Sequence, residues 1–419
     1  MSGSVCRVQC WGSATVKSMR RGLAVGALGG ALVLVATGCS GEGKSPAVSG
    51  AGNAAAALQS ATPAKPTVSA AVVSIEPGNG AKDVKPAGAL KVSVAGGKLT
   101  TVTVTGQDGK EVPGAVTADG LGWAPTAGHL EISSTYKVNA RATDASGVAA
   151  TAESSFSTLT PTKTAGTRDN IDDGQAYGVG MIVSVGFDKA VKDKDAVLKG
   201  ITVEASDGTV VKGHWFGDTR LDFRPEKYWT PGTKVTVHRR LTSVETAPGV
   251  YGGPDKDEPF TIGRSQISTV DLAAHRMTVE RDGQPVDTIP ITGGKSGFDT
   301  WGGAMVVEAM EGTTRMTSNG VTSAGSGDEY DLVVPHAIRL TDSGTYVHGN
   351  YWSSSIGSAN GSHGCIGVQD VKGGSDSSRA GKFYKSTIVG DVVKVVNSKG
   401  DVVSPENGLS GWNVPWGSW

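Results

Sequence analysis

Usable cysteine is what this chain most lacks. It has four cysteines in 419 residues, and three of them, Cys6, Cys10 and Cys39, lie before residue 40, which leaves Cys365 alone in the rest of the chain. No disulfide framework can staple the folded part, so its cores must hold by packing. Neither sign of charge prevails, with 39 basic against 40 acidic residues, and no basic stripe points to nucleic acid. Aromatics are 6% of the chain and no long amphipathic helical period is visible. The longest apolar run, Gly22 to Thr37, is too short to span a bilayer comfortably. Glycine is what the chain has in quantity. Its 61 glycines imply many turns and short strands, and the expected class is mainly β.

The apolar run follows Arg20 and Arg21 and closes on Ala36-Thr37-Gly38-Cys39, the layout of an export signal. The ending resembles the lipobox of bacterial lipoproteins, in which Cys39 would become the lipidated first residue of the mature chain; Ala36 stands where Leu is usual. Met19, directly before the two arginines, makes a better start than Met1, and with it Cys6 and Cys10 would not exist in the protein. Residues 1–39 are therefore expected to be a signal peptide, and the chain to be exported and lipid-anchored on the outer face of the cytoplasmic membrane, facing the cell wall. A lone unmodified thiol is a liability in an oxidising compartment unless its chemistry is used, so Cys365 is a nucleophile candidate before any motif is consulted. The bland alternative is a buried, inert cysteine.

Residues 40–67 are nearly all Ala, Gly, Ser and Pro and read as a flexible linker. Two β modules follow, 68–160 and 161–264, and resemble one another: Leu121-Gly-Trp123-Ala-Pro125 recurs as Leu221-Asp-Phe223-Arg-Pro225, and the closing Phe156-Ser-Thr as Phe260-Thr-Ile. Their spacing, about one hundred residues, is that of an immunoglobulin-like sandwich. His129, His214 and His238 are scattered singly and read as structural or surface residues, which makes the modules spacers or weak binders. The unit 265–398 opens with a hairpin-like stretch, Thr269–Leu272 to Thr288–Ile291, turning at Asp282-Gly283. It holds one short helix between Ser375 and Tyr384, capped by Ser or Asp, and ends on the strand Asp391–Val396. The tail 399–419 carries Trp412, Trp416 and Trp419, which would form an exposed apolar patch if the tail hung free. It is expected to pack on the 265–398 unit.

The chemistry concentrates in Tyr346-Val-His348-Gly-Asn-Tyr-Trp352, a Ser/Gly/Asn-rich segment, and Ser362-His363-Gly364-Cys365-Ile366. A thiol near its ordinary pKa is mostly protonated at neutral pH, so acyl transfer needs an imidazole to take the proton. His348 ends an apolar strand that would fix its ring, whereas His363, two residues from the cysteine, points elsewhere in an extended backbone; His348 is the better base. A backbone carbonyl could orient it, since no acid lies nearby in sequence. Gly364, lacking a Cβ, lets the backbone approach a substrate carbonyl, so the amides of Gly364 and Cys365 could donate to a developing oxyanion. Tyr330 could add a phenolic donor.

Ser-His-Gly-Cys with a histidine seventeen positions before the cysteine resembles the signature of the L,D-transpeptidases, the YkuD-type catalytic domain, and Gly411-Trp-Asn-Val-Pro-Trp416 resembles the tail of their actinobacterial members, which carry two immunoglobulin-like modules before that domain. The resemblance implies Cys365 as nucleophile, His348 as general base and Gly349 as the residue whose carbonyl steadies it, with His363 and Gly364 completing the motif. It implies Tyr330, Met316, Trp352 and Ser362 around the substrate, a lid of roughly 312–342, and Gly367 where Asn or Arg is common. Gly349 replaces a Ser, which costs little if only the carbonyl is used. The loss of a side chain at 367 bears on substrate preference or rate. Thr300-Trp301-Gly302-Gly303 replaces a Thr-Pro-x-Gly turn.

The implied reaction is a ping-pong transfer between peptidoglycan stems. Cys365 attacks a tetrapeptide donor stem, D-Ala leaves, and the thioester passes to an amine of an acceptor stem as a 3→3 cross-link. An L,D-carboxypeptidase would use water instead, and a decayed wall-binding lipoprotein would do neither. Carbapenem β-lactams would acylate the thiol. No cofactor is expected, and His348, His363 and Cys365 fit no common zinc spacing. A papain-like order fails because there the cysteine precedes the histidine. A sortase would want a Thr-rich strand before the cysteine and an arginine soon after it, and here the next arginine is Arg379.

Overall fold

Alternation of apolar and polar residues is the strongest local signal in the chain. The computed structural model, which describes residues 68–126, 128–319 and 328–419, shows where it leads. In Lys91–Ala95 the two valines are buried and their neighbours exposed. In Thr135–Asp144 Tyr136, Val138, Ala140 and Ala142 point inward, as period-two side chains on a half-buried sheet must. One sheet of the first module runs Val72–Glu76, Lys91–Ala95, Gly122–Pro125, Gly114–Val116. The second module repeats that order as Thr167–Asp169, Val183–Phe187, Arg220–Pro225, Val211–Phe216. Trp123 and Phe223 thus hold equivalent places, each in the third strand and each buried. The chain is mainly β, two immunoglobulin-like sandwiches followed by a β-rich C-terminal unit. A helix absent from the sequence reading, Lys194–Lys199, starts where the Asp193 carboxylate accepts from the Ala196 amide.

The C-terminal unit is built on a nine-stranded sheet, in the order Gly303–Val306, Val392–Val396, Gln266–Asp271, Arg276–Arg281, Gln284–Thr292, Ile366–Gln369, Tyr346–Asn350, Asp331–Arg339, Ala309–Thr317. The stretch read as one hairpin is a three-stranded meander: Asp282-Gly283 joins its second and third strands, and the first reverses after Asp271. The helix is Arg379–Ser386, with the Ser378 hydroxyl accepting from the Gly381 amide.

The second module and the C-terminal unit share a core. Val306 and Leu409 lie in the same apolar cluster as Val179, Ile182 and Trp229, with Trp412 packed against it. Backbone amides of Gly178 and Gly180 donate to the Val389 and Gly390 carbonyls, both at 2.8 Å. The first module keeps a separate core and meets the second through such links as the Lys85–Glu245 pair, 3.5 Å, and the Ile132 amide on the Ser243 hydroxyl, 3.1 Å.

The tail corrects an expectation. Residues 399–410 follow the C-terminal unit, where Val402 bridges Gly302 and Val403 enters the core. The tryptophans, however, sit on the second module. Trp412 Nε1 donates to the Gly180 carbonyl at 2.7 Å, Trp419 Nε1 to the Lys212 carbonyl at 2.9 Å, and the Trp419 ring stacks on His214, 4.9 Å between centroids. The cause is Arg224, a buried cation whose guanidinium lies 4.8, 5.5 and 4.3 Å from the rings of Trp412, Trp416 and Trp419. Asn413 alone of these last residues reaches back, exchanging hydrogen bonds with the Ala304 backbone.

Candidate active site

Three neighbouring strands build the site by dividing their side chains between two faces. Val347, Ile366, Val368 and Ile291 enter the C-terminal core, so His348, Cys365 and Thr292 must face the other way. There they line one cavity of about 390 Å³, together with Met316, Tyr330 and Trp352. Val347 pairs with Ile366 and His348 with Gly367 in a parallel ladder. Cys365 immediately precedes that ladder, so Cys365 and His348 come from neighbouring chain segments whose strands lie roughly 4.8 Å apart.

His348 is buried, 5% exposed. Its Nδ1 lies 3.0 Å from the Gly349 carbonyl, which can only accept, so Nδ1 carries the proton and Nε2 keeps its lone pair. Burial pushes the imidazole pKa below its ordinary value, with the Gly349 hydrogen bond opposing. The Trp352 ring stacks on it, centroids 5.8 Å apart. The Cys365 thiol is half-buried and donates to the Gly344 carbonyl at 3.6 Å.

The Ser362 hydroxyl organises the turn before the cysteine: it donates to the Cys365 carbonyl and accepts from the Gly364 amide at 3.1 Å. The Gly364 amide is therefore committed to Ser362 and not to a substrate oxyanion. Glycine is required at 364 by conformation, φ +114°, a region L side chains rarely adopt. His363 forms part of the cavity wall, its ring 4.6 Å from Phe298 and 4.9 Å from Tyr330. Its Nε2 is 3.7 Å from the Asp328 carboxylate, beyond hydrogen-bond length. Burial and the nearby Lys295 lower its pKa, which Asp328 opposes. Met316 and Tyr330 come from the hairpin Ala309–Thr317 and Asp331–Arg339, paired from Ala309↔Arg339 to Thr317↔Asp331; residues 320–327 of the expected lid, and Cys39, lie outside the described residues.

Two glycines differ from their sequence reading. A Cβ at Gly349 would stand 2.3 Å from Asp370 Oδ2 and 2.9 Å from Pro335. A side chain there would need Asp370, itself holding His336 at 2.6 Å, and Pro335 to shift. Gly367 does not line the cavity; a Cβ on it would meet Thr292 Cγ2 at 2.8 Å and Asn350 Nδ2 at 2.9 Å. It is a floor position covered by Asn350 and not a substrate contact.

Asn350, Thr292, Gly344 and Asp370 were missed by sequence reasoning. Asn350 alone had a signal, since it lies two residues beyond His348 on one strand and so shares its face. The Ser/Gly/Asn-rich segment between the motifs is laced to the end of the Gln284–Thr292 strand and to Gly293 beyond it. The Gly357 amide donates to the Ile291 carbonyl, Thr292 Oγ1 to the Ala359 carbonyl, the Gly361 amide to Thr292 Oγ1, and the Ser362 amide to the Gly293 carbonyl. Among the described residues no group of His, Cys, Asp and Glu is placed to hold a metal ion.

Known families match both halves of the chain. The bacterial Ig domain matches residues 81–245, across both sandwiches, and the L,D-transpeptidase catalytic domain matches residues 265–395. The chain is similar to L,D-transpeptidase 2 of Mycobacterium tuberculosis, 32% identical over 344 residues, 81% of this chain and 82% of that protein. It is similar also to L,D-transpeptidase 5 of Mycobacterium tuberculosis, 27% identical over 355 residues, 83% of this chain and 76% of that one. Among solved structures, an L,D-transpeptidase in complex with imipenem aligns with a TM-score of 0.47 and 30% identity, over 57% of this chain and 100% of that one.

Proposed function

This chain belongs to the L,D-transpeptidase family, and from that premise we propose that it forms 3→3 cross-links between peptidoglycan stems through a thioester on Cys365. The observation that carries the reading is the buried His348, its Nδ1–H held by the Gly349 carbonyl, lining the same cavity as the Cys365 thiol.

In the proposed cycle the neutral imidazole takes the thiol proton from Cys365. The thiolate attacks the carbonyl of the bond between the third residue and D-Ala of a tetrapeptide stem. The carbon–nitrogen bond breaks, and the leaving amine of D-Ala takes the proton from His348. The amine of a second stem then attacks the thioester and gives His348 its extra proton. The new amide leaves, and the sulfur recovers the proton. A carbapenem would enter the first half of this cycle, the thiolate opening its strained lactam to leave a stable thioester. A lipid on Cys39, read from the leader sequence, would hold the enzyme on the outer face of the cytoplasmic membrane.

Intact mass spectrometry after incubation with a disaccharide tetrapeptide, beside a Cys365→Ala control, tests the proposal. Loss of D-Ala with formation of a dimer in the wild type alone is the expected result. Loss of D-Ala without dimer would replace it by carboxypeptidase activity, and an unchanged donor would refute both. Because burial lowers the His348 pKa and the base form is required, the acid limb of the acylation rate should fall below the ordinary imidazole range near pH 6.5. His348→Ala should slow acylation by about 10²–10⁴-fold.

A further inference from the structure

Asn350 is 4% exposed, and one half of its amide is fully used. Its Oδ1 accepts from the amides of Trp352, 3.2 Å, and Ser353, 3.0 Å. Two N–H donors on that side assign the atom as oxygen and leave Nδ2 on the other. Nδ2 has no acceptor among the described residues, although the residue lines the cavity that holds Cys365 and His348. Nδ2 is not one of the buried side-chain atoms left without a partner; it is reached from the cavity, and a donor with no protein acceptor at the edge of that space is open to an acceptor from outside.

The strand arrangement explains how the amide comes to be there. Asn350 lies two positions beyond His348 and shares its face, and Gly367, paired with both His348 and Thr292, leaves the floor between them without a side chain. The amide of Asn350 occupies that floor, 2.9 Å from where a Cβ of residue 367 would stand. The lining decides the nature of the acceptor. No lysine or arginine lines the cavity among the described residues, and burial favours the neutral form of His348. Such a site suits an uncharged acceptor better than a carboxylate.

We propose that Asn350 Nδ2 donates to a peptide carbonyl oxygen of the donor stem, making Asn350 a specificity-determining residue of this enzyme in the floor space that Gly367 leaves open. The assignment rests on the transpeptidase reading above. It is tested on the full chain with Asn350→Asp, which keeps the Oδ1 acceptor for the Trp352 and Ser353 amides and removes the donor, and with Asn350→Ala, which removes both. Each is assayed for acylation by a disaccharide tetrapeptide and, separately, for alkylation of Cys365 by iodoacetamide, a probe too small to need a peptide contact. The expected result is an apparent KM for the tetrapeptide raised about tenfold or more in Asn350→Asp, with its iodoacetamide rate within about twofold of wild type. Unchanged tetrapeptide kinetics in both variants would overturn the proposal. So would an alkylation rate that falls in step with acylation, which would make Asn350 a prop for the Cys365–His348 pair. A wild-type chain that is alkylated yet never acylated by the tetrapeptide would refute the transpeptidase reading itself and this assignment with it.

Discussion

The two sandwiches share a strand order and differ in what their cores touch. The first closes its core around its own residues, Trp123, Tyr136 and Phe156 among them. The second leaves its core open on one side, where Val306, Leu409 and Trp412 complete it. Equal folds thus serve unequal ends: one module behaves as a bead on the chain, and the other is a structural half of the enzyme. A sandwich repeat alone therefore does not tell whether a module is a spacer; the residues at its rim do.

Cutting the chain between the second module and the C-terminal unit should have the largest effect. A 265–419 fragment exposes Val306, Leu409 and Trp412, each worth about 1.5–3 kcal/mol of burial. It should aggregate or melt at least ~10 °C below a 161–419 fragment by calorimetry. Equal melting points would dissolve the distinction between the modules.

Arg224→Ala is the next test. It removes the cation beneath three tryptophan rings and the donor to the Val414 carbonyl, 2.6 Å. A loss of about 3 kcal/mol in denaturant unfolding of 161–419 is expected, with the second module and the C-terminal unit unfolding together.

The junction should also respond to pH in the opposite sense to the first module. Glu308 accepts from the Leu409 amide at 2.9 Å and from Arg339 at 3.1 Å. Burial first, then the nearby Asp342, push its carboxyl up to about 7. Between its unfolded value of 4.5 and about 7 the folded state holds a proton that the unfolded state has released. The contribution is therefore fully present below pH 4.5 and is lost as pH rises to about 7, by up to ~3 kcal/mol. Glu308→Gln should flatten that slope in chemical denaturation. In the first module Asp108, Asp119 and Asp144 are held below the usual carboxylate range by hydrogen bonds. These groups favour the fold above their unfolded pKa and lose that contribution as pH falls.

Removing the first module altogether should have the smallest effect. Among the links it loses are the Lys85–Glu245 ion pair and the Ile132–Ser243 hydrogen bond, worth about 1 kcal/mol or less together. The acylation rate of 161–419 should match that of 68–419, and a clear drop in melting point would show a tighter coupling.

How much of this could be read in the chain depends on the range of each interaction. The strands of both modules are local alternations, and the Leu121 and Leu221 motifs located the repeat because both fill the third strand of matching sheets. The Ser378 cap lay within the stretch marked as helix, although the helix itself runs on to Ser386. The motif spacing singled out His348 and Cys365; that they line one cavity depends on parallel pairing between strands distant in sequence, which no local pattern encodes. The same limit hid Asp370 behind Gly349, Asn350 over Gly367 and Arg224 under the tail. In each case one partner's shape is explained by a residue elsewhere in the chain. Apolar tryptophans signalled that the tail must dock, and only the position of a buried cation decided where.

The lacing of the Ser/Gly/Asn-rich segment has a practical consequence for redesign. Residues 357–362 are pinned to the Ile291–Gly293 backbone and to the Thr292 hydroxyl, so a length change there would drag the cysteine turn out of register with His348. Ser353–Ser355 form cavity wall ahead of the first of those pins. A library meant to alter what the cavity accepts would be randomised at 353–355 with the later positions held fixed, leaving Cys365 and His348 where the fold has put them.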